Sequence, residues 1–173
     1  MKKHSAGILL YRLTGKQPEV LLVHPGGPFW AKKDLHAWSI PKGELDDAEE
    51  LLPAAKREFI EEIGAAPPDG TYIHLGQAKQ SSGKMVHAFG LESDFNLEQF
   101  KSNVFSMEWP PKSGRQQEFP ENDKAAWVSL STAKEKLVKG QLPLLETLAK
   151  RLDINLQDLP PEAPDLSPQA SLF

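Results

Sequence analysis

The 173-residue chain contains no cysteine. That removes a disulfide framework, a cysteine-ligated zinc site and a thiol nucleophile, and it suits a reducing compartment. Positive charge is not in excess either. Twenty Lys and Arg against 24 Asp and Glu give a formal net charge of −4 and a pI near 5.7. Without a global basic field, neither duplex nucleic acid nor an anionic membrane is an expected partner. Long hydrophobic runs are missing as well. The opening MKKHSAGILLYR sets two lysines before apolar residues, but the run Ile8–Tyr11 is too short for a signal-peptide core and Arg12 closes it. Nothing else approaches the ~20 apolar residues of a membrane span, so the expected location is the cytoplasm. There is no G-x-S-x-G elbow for a serine hydrolase. His4, His24, His36, His74 and His87 show no paired ligand spacing and read as structural or surface residues.

What is present is an ordinary globular composition, 39% hydrophobic and 25% charged. The length fits one domain, expected over residues 1–152, followed by a Pro-rich tail over 153–173 containing DLPPEAPDLSPQ. Runs rich in Ile, Leu, Val and Tyr predict strands at Ser5–Arg12 and Glu19–His24, separated by the turn TGKQP. Residues 24–38, HPGGPFWAKKDLHAW, read as a loop carrying Trp30, Lys32, Lys33 and Trp38. The clearest helix starts near Pro53, suited to a first helical position, and ends at Gly64. Further strands are expected at Tyr72–Gln77, Met85–Leu91 and Ala126–Leu130, with an irregular stretch over 105–123. Thr132 and Glu135 suggest a capping box for a helix ending at Gly140, and Pro143 opens a last helix with apolar residues at 144, 145, 148 and 152 on one face.

The chemistry concentrates in residues 43–65, GELDDAEELLPAAKREFIEEIGA. Glu58, Glu61 and Glu62 stand at i, i+3 and i+4, so one helical face presents three carboxylates. Leu52, Ala55, Phe59 and Ile63 form a different, core-facing stripe. Like charges on adjacent turns repel, which calls for a compensating partner. A hard divalent cation suits carboxylate oxygens, and magnesium is typically shared with substrate phosphates. An acidic pair by itself reads as a solvated face, but here the surroundings are specific. Gly43, Glu49, Arg57, Glu58, Glu61, Glu62 and Gly64 at these spacings would arise by chance on the order of once in a million such chains.

That pattern resembles the Nudix box, and the chain is identified on it as a member of the Nudix hydrolase family. The segment WSIPKGELD is similar to the corresponding stretch in the diadenosine polyphosphate hydrolases and in the nucleotide-sanitising branch. The resemblance implies an α/β (α+β) fold, an α/β/α sandwich with a mixed sheet between helices. It implies Mg2+-dependent hydrolysis of a pyrophosphate bond in a nucleoside triphosphate or dinucleoside polyphosphate, with Mn2+ able to substitute. By resemblance, Glu58, Glu61 and Glu62 hold metal together with the Gly43 carbonyl, Arg57 orients the carboxylates, and Glu49 supports Arg57. Family members often add an acid from a later loop before a Trp-containing strand. Glu121 is the first candidate here and Glu118 the second, with Asp123 close by, ahead of Trp127. The base is Glu58 or Glu121. Ala65 and Phe59 depart from the usual aliphatic residues, a change in packing rather than chemistry. Lys42 is a candidate for phosphate charge, Trp30 and Trp109 for stacking on a base, and Lys32, Lys33, Lys112 and Arg115 for a polyphosphate. Trp38, leading into SIPKG, reads instead as core. Other readings are a nucleotide-binding regulator on a Nudix scaffold, an interaction protein whose only support is the Pro-rich tail, or a hydrolase of a nucleotide sugar or inositol polyphosphate. The sequence does not set the oligomeric state.

Overall fold

The computed structural model describes residues 3–160 and 170–171. β1 (His4–Arg12) and β2 (Glu19–Pro25) form where the apolar runs predict them and are buried along nearly their whole length. Such continuous burial marks strands covered on both faces. β1 runs parallel to β5 (Met85–Glu92), which pairs antiparallel with β4 (Ile73–Lys79). β2 pairs antiparallel with β8 (Asn122–Ser129), so the sheet order is β4-β5-β1-β2-β8, with β9 (Ala170–Ser171) outside β8.

β1 and β2 meet only at Tyr11↔Val20 and Arg12↔Glu19 and then part. The segment 39–44 fills the opening. Ser39 exchanges two 2.9 Å backbone hydrogen bonds with Val23, and the Ile8 N–H donates to the Pro41 carbonyl at 3.2 Å. β3 (Lys42–Glu44) then pairs with the start of β1 at Ser5↔Glu44, Ala6↔Gly43 and Gly7↔Lys42. The parted sheet thus carries Lys42 and Gly43 in its interior.

α1 (Leu51–Ile63) packs on β1 and β3, burying Ala54, Ala55, Phe59 and Ile63. Leu52, expected in that stripe, is only half-buried, and Ala54 takes the inner place. Gly64 stops the helix at φ +88°, a left-handed conformation that suits glycine, with its N–H on the Ile60 carbonyl at 2.8 Å. The other face of the sheet is covered by α2 (Leu130–Lys136) and α3 (Leu142–Arg151), the latter burying Leu144, Leu145, Leu148 and Ala149. The result is the expected mixed sheet between helical layers. Trp38 is buried, donating its indole N–H to Asp34 Oδ1 at 2.8 Å.

Two expectations are corrected. The stretch 105–123 is not irregular: β6 (Val104–Glu108) and β7 (Gln116–Pro120) form a separate two-stranded antiparallel sheet, and β8 begins at Asn122. Only Phe105↔Phe119 supplies a cross-strand aromatic pair, with ring centroids 6.0 Å apart. The prolines and charges on either side conceal the two-residue period from a reading of the sequence. The N-cap of α2 is Ser129, whose Oγ accepts from the Thr132 N–H at 3.1 Å, so Thr132 lies inside the helix. That helix also ends at Lys136, before Gly140. Beyond α3, Ile154, Leu156 and Leu159 pack on the core. Of the expected tail, residues 161–169 and 172–173 lie outside the described residues. No helix among the described residues is long and apolar enough to cross a membrane.

Candidate active site

The Nudix-like segment folds so that β3 runs under the side chains of α1. A Cβ at position 43 would lie 2.0 Å from the Glu58 carboxyl carbon, so only glycine lets that carboxylate rest on the strand. Glu62, one turn on, accepts the Lys42 N–H on Oε2 at 3.1 Å.

Arg57 holds this floor from the side. Its Nε and Nη2 bind both oxygens of Glu49 at 2.9 Å, and its Nη2 also reaches the Glu44 carbonyl at 3.0 Å. Its Nη1 donates to Glu58 Oε1 at 2.8 Å and Glu61 Oε1 at 3.2 Å. One planar guanidinium therefore ties three carboxylates to the strand that carries Gly43. Its own pKa is raised, first by Glu49. Glu49 in turn is pulled down to about 2 by Arg57, helped by the Asp46 N–H.

The acids opposite behave differently. Glu62 keeps part of its surface open to the cleft, yet burial lifts its carboxyl to about 7, against the pull of Lys42. Glu58 is also raised, by burial first; Arg57 opposes this, and the charges of Glu61 and Glu121 add to it. Glu121 is thus felt at α1 although it lies at the start of β8. It is exposed and fixed through its backbone: its N–H donates to Asn103 at 2.7 Å, and its carbonyl accepts from Gly26 at 2.8 Å. A cavity of about 240 Å³ has Lys42, Glu62, Glu121, Asn122, Trp30 and Gln141 in its wall.

Among the described residues no three His, Cys, Asp or Glu side chains stand together so as to hold a metal ion as they are placed. Arg57 occupies Oε1 of both Glu58 and Glu61 and leaves Oε2 of each free of that contact. The donor set is all oxygen, which fits a hard divalent cation. The upward shift of Glu58 and Glu62 comes first from burial, with the charges of neighbouring carboxylates adding to it.

The sequence candidates are distributed unevenly. Lys42, Glu62, Glu121 and Trp30 line one cleft, and Glu58 rests on Gly43, the residue after Lys42 in β3. Glu61 lies on the same helix with its side chain 44% exposed, bonded to Arg57. Trp109 is on the β6–β7 hairpin, edge-on to Phe29 at 5.5 Å, and lines none of these cavities. Lys32, Lys112 and Arg115 are exposed and likewise outside the lining, while Lys33 lies 4.9 Å over the Trp30 ring. Glu118 is on the hairpin opposite Ser106, and Asp123 is bonded to His24 Nδ1 at 2.8 Å. A larger cavity of about 530 Å³ beside the end of α3 shares no lining residue with the acid cluster.

Sequence reasoning missed Asn122, Gln141, Phe105 and Met107. Gln141, fully buried, accepts the Ile40 N–H at 3.0 Å and donates to Ser39 and Gln80; no local pattern announces it. Asn122 flanks Glu121 and is buried, close enough to Glu62 to favour its charged form although its Nδ2 makes no well-formed hydrogen bond among the described residues. Phe105 and Met107, two residues apart in VFSME, carry the period-2 signal that would have revealed the hairpin wall. The histidines, unpaired in sequence, are partly joined in space: His4 Nδ1 and His87 Nε2 are 3.0 Å apart, and His74 stacks on His87 at 6.1 Å.

Comparison with known proteins bears on the family and the fold. The NUDIX domain family model matches residues 1–148. The RNA pyrophosphohydrolase of Bartonella henselae is 26% identical over 148 residues, covering 75% of this chain and 78% of that protein. The RNA pyrophosphohydrolase of Aeromonas hydrophila is 40% identical over 63 residues, 34% of this chain and 36% of that relative. That of Novosphingobium aromaticivorans is 59% identical over 34 residues, 20% of this chain and 21% of its own length. Among solved structures, a binary complex of the C. elegans Ap4A hydrolase superposes with a TM-score of 0.62 at 21% identity, covering 86% of this chain and 98% of that one. The NUDIX domain of Shewanella oneidensis NrtR, complexed with ADP ribose, gives 0.58 at 18% identity over 88% and 89%. At these identities the structural likeness speaks for the fold.

Proposed function

The chain belongs to the Nudix family, and on that premise we propose that it is a pyrophosphohydrolase that cuts a phosphoanhydride bond of a nucleoside polyphosphate, a triphosphate or dinucleoside polyphosphate. The observation that carries the reading is the meeting of Glu58 and Glu62 over β3, with Lys42, Glu121 and Trp30 in the wall of one cleft. Curated relatives named as RNA pyrophosphohydrolases support the reaction class. Nudix hydrolases generally use a divalent metal, and in this reading it is Mg2+, with Mn2+ as substitute. Held by Glu58, Glu61, Glu62 and the Gly43 carbonyl, the metal would offset phosphate charge and acidify water.

The chain's own groups do the rest. The Lys42 ammonium, close enough to Glu62 to lower its carboxyl, meets the phosphate charge. Arg57 holds Glu58 and Glu61 by one oxygen each and leaves the second oxygen of each without that contact. Water forms the new bond to phosphorus as the bridging P–O bond breaks, and the leaving phosphate carries off the electron pair. The proton passes to a carboxylate, Glu58 or Glu121, of which Glu121 is free of Arg57. Trp30 lies beside the base; Trp109, Lys32 and Arg115, outside the cleft lining, act only on a substrate long enough to reach them. The domain of residues 1–152 carries this activity in the cytoplasm, with a small nucleotide as partner and no membrane or nucleic acid duplex.

The test is incubation with Mg2+ and nucleoside triphosphates, oxidised nucleotides, dinucleoside polyphosphates and nucleotide sugars, with products resolved by chromatography. Cleavage of one class, abolished by Glu62→Gln, supports the reading and identifies the bond. No cleavage of any of them at high enzyme concentration sinks it.

A further inference from the structure

Next to the acid cleft lies a second cavity of about 390 Å³, walled by Gly27, Phe29, Trp30, Phe105 and Met107 and reaching Glu121. The two cavities share Pro25, Trp30 and Glu121, so a ligand can lie in both at once. Its size is within the range of small-ligand sites. One wall is the loop after β2, the other the β6–β7 hairpin, and Phe29 meets Trp109 edge-on across them. Gly27, at φ +94°, keeps the space open, because a Cβ there would lie 2.9 Å from the Phe105 ring.

Resting on the pyrophosphohydrolase reading, we propose that this chamber takes the nucleobase and reads its faces rather than its edge, so that purine and pyrimidine nucleotides are accepted alike. The polar inventory of the wall carries the point. Among the described residues, apart from the Trp30 indole, the only strong side-chain hydrogen-bonding group lining it is Glu121, which also lines the acid cleft. The nearby Gly26 N–H is already given to the Glu121 carbonyl. A site that hydrogen-bonds a group on its substrate rejects an analogue lacking that group by ~10⁴–10⁵-fold, whereas an apolar slot separates similar shapes by only ~10–200-fold. Stacking tolerates all four bases, since each offers a π-face. Phosphates leaving this chamber past Glu121 enter the cleft of Lys42 and Glu62, with the scissile bond between the two compartments.

Binding is measured by calorimetry on the full chain with MgCl2, using AMP, GMP, CMP and UMP, with ribose 5-phosphate as the comparator that lacks a base. The four dissociation constants are expected within about thirtyfold of one another, and ribose 5-phosphate at least tenfold weaker than the weakest. Phe105→Ala, which empties the chamber, and Met107→Trp, which fills it, are each expected to weaken all four nucleotides about tenfold and leave ribose 5-phosphate unchanged. A spread wider than thirtyfold, a ribose 5-phosphate as tight as the nucleotides, or two correctly folded variants that bind like the parent overturns the proposal. Because binding is read without turnover, nucleotides that bind in this pattern but are never cut overturn the hydrolase reading alone.

Discussion

The two walls of the cleft are built by opposite means. The acid wall is over-determined: Arg57 alone makes five hydrogen bonds, three that join α1 to the preceding loop and β3 and two to Glu58 and Glu61 on its own helix, and Gly43 admits no side chain. The aromatic wall hangs on little. Among the described residues the β6–β7 hairpin pairs with no strand of the main sheet, and Phe29 and Trp30 are 60% and 38% exposed. Chemistry needs carboxylates held within fractions of an ångström, while stacking on a ring tolerates a moving wall. Small changes should therefore be severe on one side of the cleft and graded on the other.

The largest effect is expected from Glu62→Gln, which keeps the shape and removes a charge: a fall in kcat on the order of 10²–10³-fold or more in steady-state assays with Mg2+. Gly43→Ala drives a methyl into the Glu58 carboxyl and should combine a comparable loss of activity with about 1–3 kcal/mol of destabilisation in urea unfolding. If it turns out neutral, the tightness of the acid wall is an illusion. Arg57→Lys retains the charge but not the fork, and about a 10–100-fold loss of kcat is expected with an unchanged melting profile of the sheet core.

The acid wall should also show itself in pH. Glu62, raised to about 7 in the fold, retains a proton that the unfolded chain, near 4.5, has released. Folded protein thus binds more protons in that window, and stability falls as pH rises through it. Melting temperatures without divalent cation should drop between about pH 4.5 and 7, with Glu62→Gln flattening the slope. Glu49, lowered to about 2, acts in the opposite sense, its contribution being present above about pH 4.5 and lost toward pH 2. On the aromatic side, Trp109→Ala removes one edge-to-face contact worth about 0.5–1.5 kcal/mol. The smallest effect is expected here, a KM raised a few fold with kcat intact.

The same contrast decides how much could be read in advance. The acid wall was legible because its spacing is set by one helix: Glu58, Glu61 and Glu62 are neighbours by helical period, and Gly64 marks its end, although the helix opens at Leu51, two residues before the expected Pro53. The aromatic wall is made by partners distant in the chain. Phe29 finds Trp109, Gly27 finds Phe105, and Pro residues hide the strands between. Glu121 stood between the two, suggested by its place before the Trp127 strand, though only the backbone ties to Asn103 and Gly26 say where it sits. The His4–His87–His74 ladder was invisible for the same reason, since it depends on the pairing of β4, β5 and β1.

The parting of β1 and β2 has an engineering consequence. The loop of residues 26–37 leaves from β2 and returns at Ser39, bridged to Val23 of that same strand, while Trp38 bridges to Leu137. Both ends of the loop are therefore clamped before the chain reaches Lys42 and Gly43. On the proposed reading, a foreign loop of different length, spliced between those clamps, would change what the cleft recognises and leave β3 in register, making the segment a replaceable cartridge.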